Sequence, residues 1–168
     1  MFSDELTAQA KALLQDCREA RVMVATAESC TGGLIAGCLT EIAGSSDVVD
    51  RGFVTYSNDA KNAMLEVPMA LIEGHGAVSE PVARAMAEGA IAKSAADLAV
   101  AVTGVAGPGG GTADKPVGLV HLSCALEGSA TEHQRCVFAG DRNAVREATV
   151  AAALDMALAA VTGQRAIA

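Results

Sequence analysis

The chain has 168 residues, enough for a domain with a substantial core; 51% of it is apolar, yet only 2% is aromatic and there is no Trp. Its core must therefore be built from Ala, Val, Leu, Ile and Met, which suits Ala-rich helices packed closely on a sheet. A net charge of -8 argues against a nucleic-acid binder, which normally carries a basic stripe, but leaves room for a small anionic ligand held by a few placed Arg or Lys residues.

Met1 to Ala20 reads as a helix, with Leu6, Ala10, Leu13, Leu14 and Cys17 on one face. Arg21 to Thr26 is the first strand, Gly32 to Ala43 the second helix, and Gly52 to Tyr56 the second strand. A short helix over Asn58–Leu65 stops near Pro68, and Met69–Glu73 adds another helical turn. Ser79-Glu80-Pro81 opens a further helix to about Ser94: a capping hydroxyl, a first-turn acid, and Pro where its missing N–H costs little. Asp97–Thr103 is a near-continuous apolar strand, the mark of a strand covered on both faces. The loop Gly104–Gly111 follows, then a hairpin, Val117–Ala125 and Thr131–Phe138, turning at Glu127-Gly128-Ser129. Asp141 caps a final helix from Arg142 to about Val161, with Val145, Thr149, Ala152 and Met156 inward. No internal repeat or splitting linker is present, so 1–168 is read as a single domain. The expected fold is α/β, a three-layer helix–sheet–helix sandwich around a mixed, mostly parallel sheet.

Five cysteines, at 17, 30, 38, 124 and 136, are odd in number and make no CxxC pair, so the reducing cytoplasm is the expected setting. Neither a signal stretch nor a run of membrane-spanning length is seen. His75, His121 and His133 lack metal-ligand spacing, and no metal or organic cofactor is expected.

The most informative stretch is Ala25 to Gly33, a strand, a tight turn at Ser29 and a helix start. Backbone N–H groups at a helix start bind anions or a developing oxyanion. Ser29 beside them reads either as a nucleophile or as a helix N-cap. Gly104 to Gly111 matches neither the dinucleotide fingerprint nor the P-loop; its place after a buried strand suits a ligand role, and a plain surface loop is the alternative. Lys61 is either a surface lysine or a general base for Ser29, the latter only if burial or a nearby cation lowers its pKa. Tyr56, the chain's single Tyr, either packs or relays a proton or holds Lys61. Arg142 and Arg146, one turn apart, either pair with surface carboxylates or fork onto a phosphate. Glu28 reads as a structural hydrogen-bonder in the turn, and Cys30 as a buried, inert thiol.

Together these segments resemble the CinA C-terminal domain family, the nicotinamide-nucleotide amidohydrolases. The matching pieces are Ala27–Gly33, Gly52–Asn58 with Lys61, Gly76–Ser79, Thr103–Gly110, Lys115–Val120 and Phe138–Arg142, in the family's order, and the likeness runs from about Leu6 to Ala160. The resemblance implies hydrolysis of the carboxamide of nicotinamide mononucleotide to nicotinic acid mononucleotide and ammonia, a pyridine-nucleotide salvage step. It implies a Ser29 nucleophile, a Lys61 base, Tyr56 assisting, and backbone N–H groups of Thr31 and Gly32 holding the oxyanion. Thr103, Gly104, Gly107 and Gly109 would line the nucleotide site, with Arg142 on the phosphate. Many relatives carry an extra N-terminal domain; this chain is expected to be the stand-alone form, and a homodimer is compatible with its Ala-rich composition. Two alternatives stand beside this reading: a non-catalytic nucleotide-binding module in a competence or DNA-damage context, and an amidase for another small amide.

Overall fold

The computed structural model describes residues 1–165. In chain order the elements are α1 (Asp4–Ala20), β1 (Val24–Glu28), α2 (Leu34–Thr40), a 3-10 turn (Ser45–Asp47), β2 (Val49–Val54), α3 (Asn58–Leu65), α4 (Met69–His75), α5 (Glu80–Ala92), β3 (Leu98–Gly104), β4 (Leu119–Leu126), β5 (Glu132–Val137) and α6 (Arg142–Arg165). The strands form one mixed sheet in the order β2-β1-β3-β4-β5. β1 pairs in parallel with both β2 and β3, while β4 is antiparallel to β3 and to β5, so only β4 runs against the others. The expected three-layer α/β sandwich is the observed fold.

Alternation along β3 sorts its side chains by size, and the helices follow. Leu98, Val100 and Val102 join the larger core with α1, α2 and α6, whereas Ala99 and Ala101 join the core of α3, α4 and α5. The second face is lined by small residues and accepts a close helix. α5 and α3 also pack tightly on each other: a Cβ on Gly89 of α5 would clash with the Leu65 carbonyl oxygen at the end of α3.

Element boundaries differ from the sequence reading for local reasons. α1 begins at Asp4 because Ser3 caps it, its hydroxyl accepting the Leu6 N–H at 3.2 Å. Arg21 adopts a left-handed conformation (φ 60°) and its N–H returns to the α1 carbonyls, so β1 starts three residues later than expected. β1 then runs to Glu28, placing Ser29 immediately beyond the strand. β2 begins earlier than expected, at Val49, and ends at Val54; its polar opening and one buried side chain, Phe53, mark an edge strand. α2 begins at Leu34 instead of Gly32, because Gly32 and Gly33 take left-handed φ values of 62° and 101°.

The hairpin is tied to α5 by Glu80, Arg84 and Glu88, one helical turn apart. Arg84 bridges Glu80 and the Thr131 carbonyl, and Thr131 donates to Glu88. His121 and His133, unremarkable in sequence, stack with centroids 5.2 Å apart and share a 2.9 Å hydrogen bond. Burial, with His133 beside it, depresses the His121 pKa to about 4. Among the described residues no helix is long and apolar enough to cross a membrane.

The close α5–α3 approach yields a test. Gly89→Ala supplies about 1 kcal/mol of helix propensity, yet its methyl meets backbone that cannot rotate away. A net loss of about 1–3 kcal/mol is expected from overpacking. Urea unfolding reads it, and a raised midpoint would show that α5 can move off α3.

Candidate active site

Ser29 lies at the carboxyl end of β1, where open α/β sheets form their ligand crevice. Its N–H donates to the Val102 carbonyl of β3 at 3.1 Å, fixing the turn against the central strand. Its side chain remains partly accessible.

The start of α2 is not an open anion site. The carboxylate of Glu28, wholly buried, accepts the N–H groups of Gly33 (2.9 Å), Ile35 (3.1 Å) and Ala36 (2.8 Å), and the Thr26 hydroxyl at 3.2 Å. The left-handed glycines turn the chain so that these N–H groups face back toward the strand end. This takes Gly33 out of the free donors expected there. Gly32 spends its N–H within the turn, on the Ser29 carbonyl at 3.1 Å, and is not a free oxyanion donor. Nor does Ser29 cap the helix, whose N-cap, Gly33, has no side-chain bond. Thr31 is fully buried, with its hydroxyl unpartnered.

The Ser29 hydroxyl meets Lys61. Lys61 and Leu65 are one turn apart on α3 and both point inward. The α3 N-terminus is set by Ser57, whose hydroxyl accepts the Ala60 N–H at 3.0 Å. Lys61 is 1% exposed, and its Nζ lies 3.0 Å from Ser29 Oγ and 2.8 Å from the Thr55 carbonyl. No carboxylate pairs with it among the described residues. Burial pulls its pKa below that of an ordinary lysine, with the nearby Cys30 opposing. As a neutral amine, Nζ can donate one N–H to Thr55 and turn its lone pair to the Ser29 O–H. That is the geometry a general base requires. Cys30 is unsuited to compete, since burial pushes its thiol up to about 11.

Tyr56 departs from the expected relay. It is 61% exposed, and its hydroxyl accepts from Arg142 at 3.0 Å instead of meeting Lys61 or Ser29. The group that holds Lys61 is the neighbouring Thr55 carbonyl. Arg142 also donates to the Gly107 carbonyl at 2.9 Å, so it joins the glycine-rich loop to the Tyr56 segment. Arg146 reaches the Thr31 carbonyl at 2.8 Å. Thr103 donates to the Ala77 carbonyl at 2.8 Å and brings the Gly76–Ser79 segment beside the strand end. Gly104 closes β3 against Leu119 and Val120, Gly107 is buried, and Gly109 is exposed at the loop's tip. Sequence reasoning missed the Thr55 carbonyl and the contact of Arg146 with Thr31. Backbone acceptors carry no side-chain signature.

Residues 6–161 match the family described as CinA C-terminal domain. A CinA-like protein of Mycolicibacterium vanbaalenii is 54% identical over 140 residues, covering 83% of this chain and 33% of that protein. A putative competence-damage inducible protein of Caldicellulosiruptor bescii is 49% identical over 138 residues, with 82% and 33% covered. The chain thus spans about a third of the length of these curated relatives. The crystal structure of the competence/damage inducible protein CihA from Agrobacterium tumefaciens superposes with a TM-score of 0.93 at 52% identity, over 96% of this chain and 98% of that one.

Two outcomes follow from the buried groups. Glu28→Gln keeps the shape but turns an NH2 toward backbone donors, and is expected to cost about 2–3 kcal/mol in chemical unfolding. Lys61→Met removes an amine whose folded pKa is depressed. In wild type the unfolded chain binds the extra proton between that lowered pKa and the ordinary lysine value, so wild-type stability rises with pH across this window. The Met variant is therefore expected to be as stable as wild type or more so, with its advantage largest below the lowered pKa and shrinking as pH rises. Unfolding curves at a series of pH values read the difference, and an advantage that grows with pH would overturn this account.

Proposed function

The chain belongs to the CinA C-terminal domain family, and from that premise we propose that it is an amidohydrolase that converts nicotinamide mononucleotide to nicotinic acid mononucleotide and ammonia. The observation that carries the reading is Lys61: a buried lysine without a carboxylate partner, 3.0 Å from the hydroxyl of a partly accessible serine. A lysine held only for structure would normally be paired or would reach solvent. A binding module needs no such amine.

In the proposed cycle the lone pair of Lys61 takes the Ser29 proton as Oγ attacks the carboxamide carbon. The tetrahedral intermediate collapses to an ester on Ser29, and the proton on Lys61 passes to the leaving nitrogen, which departs as ammonia. Water then attacks the ester, giving its proton to Lys61, and the acid leaves as Ser29 recovers its hydrogen. The net reaction consumes one water per amide. The partly accessible Ser29 lets substrate in, while the buried amine keeps bulk solvent from charging it. The loop after β3, exposed at Gly109, supplies one wall for the nucleotide, with Thr103 and Gly107 buried behind it. A reducing cytoplasmic setting accords with five free thiols.

Ammonia release from nicotinamide mononucleotide tests the proposal. Ser29→Ala is expected to remove nearly all turnover in a folded protein, because its hydroxyl supports no helix cap. Lys61→Ala is expected to fail likewise, and Lys61→Arg not to rescue it, since a guanidinium stays protonated. Wild-type kcat/KM is expected to rise with pH through the lowered pKa of Lys61 and then level off. Full activity in folded Ser29→Ala would eliminate the serine mechanism.

A further inference from the structure

The turn between β1 and α2 is fixed at both ends. The Ser29 N–H is held by the Val102 carbonyl at 3.1 Å, and the Gly33 N–H by the Glu28 carboxylate at 2.9 Å. Between them Ser29 to Gly32 form a β-turn, closed by the Gly32 N–H on the Ser29 carbonyl at 3.1 Å. The peptide that supplies this N–H has its carbonyl on Thr31, so one rigid plane carries both groups. The backbone by itself resists a flip of that plane only weakly. A flip changes ψ of Thr31 and φ of Gly32, and Gly32, at φ 62°, is free to take either sign. The Thr31 side chain does not pin the plane either, since its hydroxyl is buried without a partner.

Arg146 supplies the pin. Its NH2 donates to the Thr31 carbonyl at 2.8 Å, from a helix 115 residues further along the chain. A flip would break this bond and the Gly32–Ser29 bond together. Val145 and Val150, on either side of Arg146 in sequence, are buried in the larger core, so the guanidinium stands on a firmly packed helix. Among the described residues no carboxylate pairs with Arg146, and its Nε is buried without an acceptor. A buried donor left unpaired is costly, and an arginine serving only as surface charge would avoid that cost by turning its head into water.

We propose that Arg146 is a positioning residue: it locks the Thr31–Gly32 peptide plane, and so keeps the turn closed with the Ser29 hydroxyl on Lys61. Its weight in turnover rests on the hydrolase reading above; the geometry it maintains does not.

Arg146 lines a cavity of about 250 Å³ together with Phe2, Leu6, Leu34, Asn143 and Val150. In Arg146→Ala this cavity gives an added guanidinium a way to the vacated place. With nicotinamide mononucleotide as substrate, Arg146→Ala is expected to lower kcat by about 10- to 100-fold, with KM changed less than about 2-fold, as for a reacting group held out of line. Ethylguanidinium, which replaces the deleted atoms, is expected to restore kcat saturably, and ethylammonium, which lacks the planar fork, to leave it low. Arg146→Lys, the gentler change, is expected to fold even where Arg146→Ala does not, and to show the same split in smaller measure. A crystal structure of the folded variant is expected to show the Thr31 carbonyl turned away and Ser29 Oγ out of hydrogen-bond reach of Lys61. A Ser29–Lys61 bond that persists, or a loss that ethylguanidinium and ethylammonium repair equally, overturns the inference. A displaced pair in a protein whose wild type releases no ammonia removes the hydrolase and keeps the lock, and ammonia release with an undisplaced pair does the reverse.

Discussion

The candidate site depends on where one buried carboxylate spends its charge. Glu28 takes three N–H groups from the start of α2 and one hydroxyl from Thr26, all within its own corner. An unpaired carboxylate in that position would be costly, but charge-assisted bonds at the positive end of a helix offset the cost. The arrangement has a second effect. Because Glu28 supplies the capping acceptors, neither Ser29 nor Thr31 has to, and the Ser29 hydroxyl is left facing α3. Gly32 and Gly33 make this possible, since their left-handed backbone folds the helix start back over the strand end.

Lys61 is the converse case. It is buried as deeply as the core leucines around it but has only neutral oxygens for company, the Thr55 carbonyl and the Ser29 hydroxyl. Desolvation outweighs the opposing influence of the nearby Cys30, and the amine form gains. Glu28 accepts from the start of α2 and from Thr26, and not from Lys61. One corner of the fold thus holds a satisfied anion and an unsatisfied base, separated by the turn that presents Ser29.

The sheet supplies the frame for this corner. Parallel β1 and β3 bring the Ser29 turn and the glycine-rich loop to the same end, and their small side chains let α5 approach closely, with α3 packed on α5 and α4. Arg142 then ties the loop after β3 to the segment after β2. Three connections that are far apart in sequence become one wall. The large residues on the opposite face hold α1 and α6, and with them Arg142 and Arg146, in place.

Much of this was legible in the chain alone, for local reasons. Period-two and period-3.6 patterns, an unbroken apolar run at Leu98–Val102, and Ser and Asp caps depend on neighbours within a few residues, so element types and the α/β class could be read directly. From the residues alone Ser29 reads equally as a helix cap and Lys61 as a surface lysine, and it is the family resemblance that pairs them as nucleophile and base. Only the tertiary structure decided what those residues do to one another. Whether Lys61 is solvated or buried depends on how α3 packs on α4 and α5, which nothing between Asn58 and Leu65 specifies. Whether Tyr56 serves Lys61 or Arg142 depends on α6, whose first residue lies 86 positions away. Propensity and periodicity are properties of a segment. Desolvation, and the choice among competing hydrogen-bond partners, belong to the packed chain.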